Sequence, residues 1–312
     1  AGFGPGRGSG MCGIVGLFLK DRALEPDLGA LLTEMLVTMT DRGPDSAGIA
    51  IYRRGAAGMV KLVVQSSDPD TEFEALSRRL AEPGAPAARL LRHGSHACVT
   101  VAEHEAAALR ALVRAAAPGL RVMSEGAGIE IFKEVGLPEN VARAFGLAEM
   151  GGTHGIGHTR MATESAVTTL GAHPFSTGRD QCLVHNGSLS NHNRLRRRLR
   201  REGLSFETEN DTEVAAAYLS WRMASGDAPE AAMRAGLEDL DGFYTFVVGT
   251  GTGFGVVRDP IACKPAVMAE TGGWVAFGSE YRALSGLPGI AAARVWEPGP
   301  ASVHFWERRA DA

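Results

Sequence analysis

The sequence predicts an α+β fold built as a layered sandwich, and three observations carry that expectation. Hydrophobic residues make up 45% of the 312-residue chain and charged residues 22%, enough apolar material for a sizeable core. Short apolar runs bounded by Gly, Pro and polar residues recur along the chain and read as strands. A few segments with apolar residues at helical spacing lie between them, the combination expected when helices cover sheets.

The elements follow in order. Residues 1–10 hold five glycines, a proline and a serine ahead of Met11, so 1–11 reads as an expression linker plus initiator, with a short propeptide as the alternative. The run CGIVGLFL at 12–19 predicts a buried strand. Residues 27–40 predict a helix with Asp27 placed to cap it, and RGPDSAG at 42–48 begins a loop. Residues 46–52 and 59–65 look like a strand pair around Gly55.

From about 65 to 128 the texture changes to Ala, Arg and Leu, with helices expected at 70–82 and 103–117 and strands at 97–102 and 119–124. This reads as a small α/β insertion. The main body resumes with strands at 129–133, 154–159 and 181–185 and helices at 191–202 and 211–224. Strands at 243–248, 253–258, 274–278 and 301–305 complete it, with no repeat and no clean two-domain boundary.

Composition excludes several classes of function. A net charge of −4 argues against a general nucleic-acid binder. No apolar run approaches the roughly 18 residues needed to span a bilayer, so no membrane association is expected. Four widely spaced cysteines with no CxxC argue against a disulfide framework or a four-cysteine zinc site, and for a reducing, cytoplasmic setting. His93, His96, Cys98 and His104 invite a zinc site, but with His93 in a loop and no second cluster they read as surface histidines; no metal is expected. The arginines of 193–203 read as a solvated helix face, with docking of an acidic partner as the alternative. Cys182 reads as core and Cys263 as structural.

Chemistry enters with Cys12. Removal of Met11 would leave a free α-amine beside the Cys12 thiol. An α-amine titrates near ~7.7–8.0, so part of it is a base at neutral pH that can take the thiol proton. Taken alone, a buried inert cysteine is the simpler reading. Further segments change that balance: MCGIVG (11–16), RGPDSAG (42–48), GHTRMAT (157–163), HPF (173–175), HNGSLSN (185–191) and NDTE (210–213) occur in one order. With DGFYTFVV (241–248), RDPIACKP (258–265) and FGSEYRAL (277–284), they resemble the glutaminase domain of the class II, N-terminal-nucleophile glutamine amidotransferases over about 12–64 and 129–284.

The resemblance implies a four-layer αββα sandwich over 12–306, with Cys12 as the nucleophile that attacks the glutamine side-chain amide. It implies an oxyanion hole from the Asn186 side chain and the Gly187 backbone N–H. It gives Arg160 to the glutamine carboxylate and Asp211 to its ammonium. Thr163 and His173 would line the same pocket, and Arg42 would hold the nucleophile. Met161 and Glu164 depart from the usual residues beside the closing loop, which bears on closure and affinity. Only about 28 residues follow Leu284, too few for a synthase domain of the kind most relatives carry.

The expectation is therefore a stand-alone subunit in a hetero-oligomer, supplying nitrogen to separate glutamate-synthase-like subunits. The amidotransferase-like subunit of N-methylglutamate synthase is the nearest resemblance. No cofactor is expected in this chain, with flavin or iron–sulfur groups belonging to the partners. A non-catalytic scaffolding or glutamine-sensing subunit is the alternative.

Overall fold

Alternation along the strands separates two cores. On the strand Gln181–Leu189, Cys182 and Val184 pack to one side and Leu183 and Leu189 to the other, because successive side chains leave a strand on opposite faces. The structure is a computed structural model that describes residues 12–161 and 167–308. In chain order its strands and helices are β1 (Gly13–Leu19), α1 (Leu28–Thr38), β2 (Ser46–Tyr52), β3 (Met59–Gln65), α2 (Pro69–Leu80), β4 (Arg89–His93), β5 (His96–Ala102), α3 (Ala106–Ala116), β6 (Arg121–Gly126), β7 (Ile129–Val135), α4 (Pro138–Ala144), β8 (His154–Arg160), β9 (Phe175–Gly178), β10 (Gln181–Leu189), α5 (His192–Arg201), α6 (Asp211–Ala224), α7 (Pro229–Asp239), β11 (Gly242–Gly249), β12 (Gly253–Arg258), β13 (Val267–Glu270), β14 (Trp274–Gly278), β15 (Arg294–Trp296) and β16 (Ser302–Glu307).

The first sheet has the order β15-β13-β14-β1-β8-β2-β7 and the second β16-β12-β11-β10-β9. One core holds residues of α1, α4, the first sheet and the inward side of β10–β12. The other joins the outward side of the second sheet to α5, α6 and α7. The result is the αββα layering of the N-terminal-nucleophile type. β1 is buried along its whole length, since one face meets α1 and the other the second sheet. That explains why CGIVGLFL is apolar throughout rather than alternating.

A third sheet, β4-β5-β3-β6, carries α2 and α3 on one face around its own small core. It corrects the expected pairing of 46–52 with 59–65: β2 pairs with β7 and β8, whereas β3 pairs with β5 and β6. Both runs are apolar, and nothing local chose between a hairpin and two sheets. The unit around this third sheet thus begins at β3. Asp27 sits at the α1 N-cap but makes no side-chain capping bond there, while Asp21 caps the preceding 3-10 turn through the Ala23 N–H.

His93 closes β4 opposite His96 rather than lying in a loop. His96 is fully buried against Phe132 and Phe145, and burial pushes its pKa down to about 3. It is not a surface histidine. No group of three or more His, Cys, Asp or Glu residues among the described ones is placed to hold a metal ion. Among the described residues no helix is long and apolar enough to cross a membrane. In α5 the arginines are not uniformly solvated: Arg196 is buried, paired with Glu209 and stacked over Phe206. Cys182 is buried and Cys263 exposed, so the latter has no structural role in packing.

Candidate active site

The site is assembled at the end of the sandwich where β1 begins. The antiparallel register sets Gly13 opposite Thr159, which leaves Cys12 beside the end of β8, where Arg160 sits. β2 starts on the other side of β8, with Ser46 opposite Arg160. Cys12 is then held from both sheets. Its carbonyl oxygen accepts from Asn186 Nδ2 of β10 at 3.0 Å and from Arg42 Nε at 3.3 Å. Arg42 is itself fixed by Glu280, 2.5 Å away across the end of β14.

The Cys12 thiol is largely buried, and burial pushes its pKa up; the Met161 backbone N–H and the charges of Arg160 and Lys264 act in the opposite direction without overcoming it. The resting sulfur is therefore protonated near neutrality and needs a base within reach. The second N–H of the Asn186 amide remains to serve a ligand, since an amide nitrogen carries two donors.

Gly187 follows at φ +142°, a conformation that favours glycine, and an added Cβ would stand 2.0 Å from the Phe243 carbonyl oxygen. This is the physical reason for glycine in HNG. Asp211 opens α6, where Asn210 caps the helix through the Thr212 N–H. Its carboxylate accepts the Leu189 N–H at 2.9 Å and lies 3.6 Å from His185 Nδ1. Burial alone would raise its pKa, but His185 and the Leu189 N–H outweigh that and hold it at about 2. An ionised carboxylate at this point suits a cationic ligand group.

Arg160 is buried, and its Nη1 donates to the Gly171 carbonyl at 3.2 Å. His173 was expected to line the glutamine pocket. It is instead buried behind it: Nε2 pairs with Thr212 Oγ1 at 3.1 Å, Nδ1 accepts from the His185 N–H at 3.5 Å, and the ring lies 4.1 Å from that of His158. Burial keeps His158 and His173 neutral, with His158 pushed down to about 3. His173 thus supports the wall rather than forming its surface. Thr163 and Glu164 lie outside the described residues.

Several contributors were not singled out from sequence. His158, His185 and Thr212 sit inside GHTR, HNG and NDTE, so motif membership was the available signal. Glu280 had its signal in FGSEYRAL. Lys133 had none: it is fully buried, donates to the carbonyls of Leu170 at 3.2 Å, Ala172 at 2.8 Å and Pro174 at 3.3 Å, and so clamps the segment carrying Gly171 and His173. Gly48 lets that segment pass, since a Cβ there would meet the His173 carbonyl oxygen at 1.9 Å.

A family model described as a glutamine amidotransferase domain matches residues 158–286. The chain is 64% identical over 299 residues to the glutamine amidotransferase-like protein GlxB of Rhizobium meliloti, covering 96% of this chain and 99% of that protein. A relative from Methanothermobacter thermautotrophicus is 32% identical over 316 residues, with 94% and 99% coverage. Among solved structures, the glutamine phosphoribosylpyrophosphate amidotransferase of B. subtilis superposes with a TM-score of 0.60 at 19% identity, over 95% of this chain and 47% of that one.

Proposed function

This chain belongs to the class II glutamine amidotransferase family, and from that premise we propose that it releases ammonia from glutamine at Cys12 for use by a separate synthase subunit. One observation carries the reading: Cys12 stands at the head of β1 with its carbonyl held by Asn186 and Arg42 and with Arg160 on the adjoining strand.

The Cys12 α-amine, freed by removal of the preceding residues, takes the thiol proton. The sulfur attacks the glutamine amide carbon, and the carbonyl oxygen becomes an oxyanion that accepts from Asn186 Nδ2 and the Gly187 N–H. Preorganised donors of this kind are worth ~10²–10³ in rate each. The α-ammonium returns its proton to the leaving nitrogen, the C–N bond breaks, and ammonia departs from a thioester. Water then attacks the thioester carbon and restores the thiol, giving glutamate. Arg160 pairs with the substrate carboxylate and Asp211 with its ammonium.

The surface around the site supports a macromolecular acceptor. Val135, Leu137, Phe243, Ile261 and Tyr281 are five of the eight exposed large hydrophobic residues among those described. Each follows or begins a strand at the Cys12 end of the sandwich: β7, β11, β12 and β14. An apolar rim around a site whose product is a small volatile base suits a subunit that seals over it. The glutamate-synthase-like partner, with N-methylglutamate as product, is the specific form of this proposal.

The test is glutamate release from glutamine by protein beginning at Cys12, alone and with the synthase subunits, against Cys12→Ala. Cysteine-dependent release is the expected result. Equal product formation by Cys12→Ala in the assembled complex with every nitrogen donor would leave the chain a scaffold.

A further inference from the structure

The seam between the unit around the third sheet and the rest of the fold forms a half-open cavity of about 430 Å³, lined in part by Leu170. One wall comes from α3 and β6, with Arg110, Arg114 and Ser124; another from the chain around the start of α6, with Glu207 and Glu213; Lys133 and Leu170 lie between.

Three features of the lining point to a ligand. Ser124 is 2% exposed, and its hydroxyl has no hydrogen-bond partner among the described residues. A buried hydroxyl left unpaired is destabilising, so the native site gains by giving it a partner. Arg114 makes no ion pair among the described residues, while Arg110 is paired with Glu125 and Arg179 with Glu103. The Glu207 carboxylate accepts no hydrogen bond from the described residues, unlike Glu213, which is saturated by the N–H groups of Glu207 and Thr208 and the Thr208 hydroxyl. The cavity therefore offers the Arg114 guanidinium and the Ser124 hydroxyl on one wall and the Glu207 carboxylate on another. A simple anion would leave Glu207 without a partner in the cavity; a simple cation would leave Arg114 so.

We propose that this seam binds a small zwitterion of the free amino-acid type, with its carboxylate on Arg114 and Arg110, its ammonium on Glu207 and a polar atom on Ser124. Occupancy reaches the Cys12 site through one element. Leu170 lines the cavity, Lys133 clamps its carbonyl, and the next residue, Gly171, holds Arg160.

The test uses the Cys12→Ala protein, so that nothing turns over and the result stands apart from the glutaminase reading. The common L-amino acids, acetate and inorganic phosphate are titrated calorimetrically, and hydrogen exchange is followed over 170–178. An amino acid should bind in addition to any glutamine held at Arg160, should lose at least tenfold affinity in the Arg114→Gln, Glu207→Gln double variant, and should slow exchange in 170–178. Both substitutions are at exposed positions, so folding is preserved. Absence of binding up to about 10 mM, a weak affinity of only ~3 kcal/mol, would overturn the proposal. So would unchanged affinity in the double variant, or equal affinity for acetate or phosphate.

Discussion

Replacing Lys133 with Met tests whether a buried cation shapes the glutamine site from behind. The side chain keeps its length and loses its charge, leaving the carbonyls of Leu170, Ala172 and Pro174 without their donor. Each unpaired buried acceptor costs about 1–3 kcal/mol. Against this stands the cost of burying the ammonium, which pushes the Lys133 pKa from 10.5 down to about 7. At ~1.36 kcal/mol per pKa unit, keeping it charged in the fold costs about 5 kcal/mol. The sign follows from proton counting. Between pH 7 and 10.5 the unfolded chain holds the Lys133 proton and the folded chain has released it, so the stability of the native protein rises with pH in that window. From pH 7 to 9 the gain is about 2 kcal/mol, and the Met variant lacks it. Urea unfolding of both proteins at pH 7 and pH 9 reads the difference directly. The difference between them should shift by about 2 kcal/mol in favour of the wild type at the higher pH. A gap that stays constant would show that Lys133 does not titrate in this window and would refute the reasoning. The same variant should raise the KM for glutamine about tenfold, since Gly171 no longer holds Arg160 in place, with a smaller change in kcat.

Other expectations follow from the same geometry. Asn186→Ala should lower kcat by ~10²–10³ with little change in KM, measured as glutamate release. Gly187→Ala should destabilise the fold as well as the site, because its Cβ meets the Phe243 carbonyl oxygen at 2.0 Å; a lowered melting temperature checks this. Asp211 contributes stability that is present above pH ~4 and lost as pH falls towards 2, so Asp211→Asn should flatten the acid limb of an unfolding titration and raise the KM for glutamine. Ile261→Glu should leave glutamate release by the isolated chain intact and weaken association with the synthase subunits in co-purification, since this residue is the most exposed of the apolar rim.

The legible part of the molecule is the part in which a residue type answers to a local chemical demand. Gly187 and Asp211 were legible through the motifs HNG and NDTE, and the structure supplies a local demand for each: a φ that favours glycine, and a helix start beside His185. Strands β8, β10, β11 and β12 could be read because their flanking turns and apolar runs agree. What could not be read depends on partners distant along the chain. β3 is as apolar as β2, and only the presence of β5 and β6 decides which sheet it joins. His96 looked exposed because it follows the polar stretch 92–95; Phe132 and Phe145, some 36 to 49 residues away, bury it. Lys133 looked like the end of an apolar strand, and its role exists only because a segment about 40 residues later presents three carbonyls to it. The same logic explains why His173 changed from a pocket-lining residue to a supporting one. Motif order places it at the site, but whether its ring faces substrate or core is set by Thr212 and His158, which reach it from other elements. Sequence motifs therefore mark the residues gathered around Cys12, whereas the clamp that holds them in position has to be read from the packing.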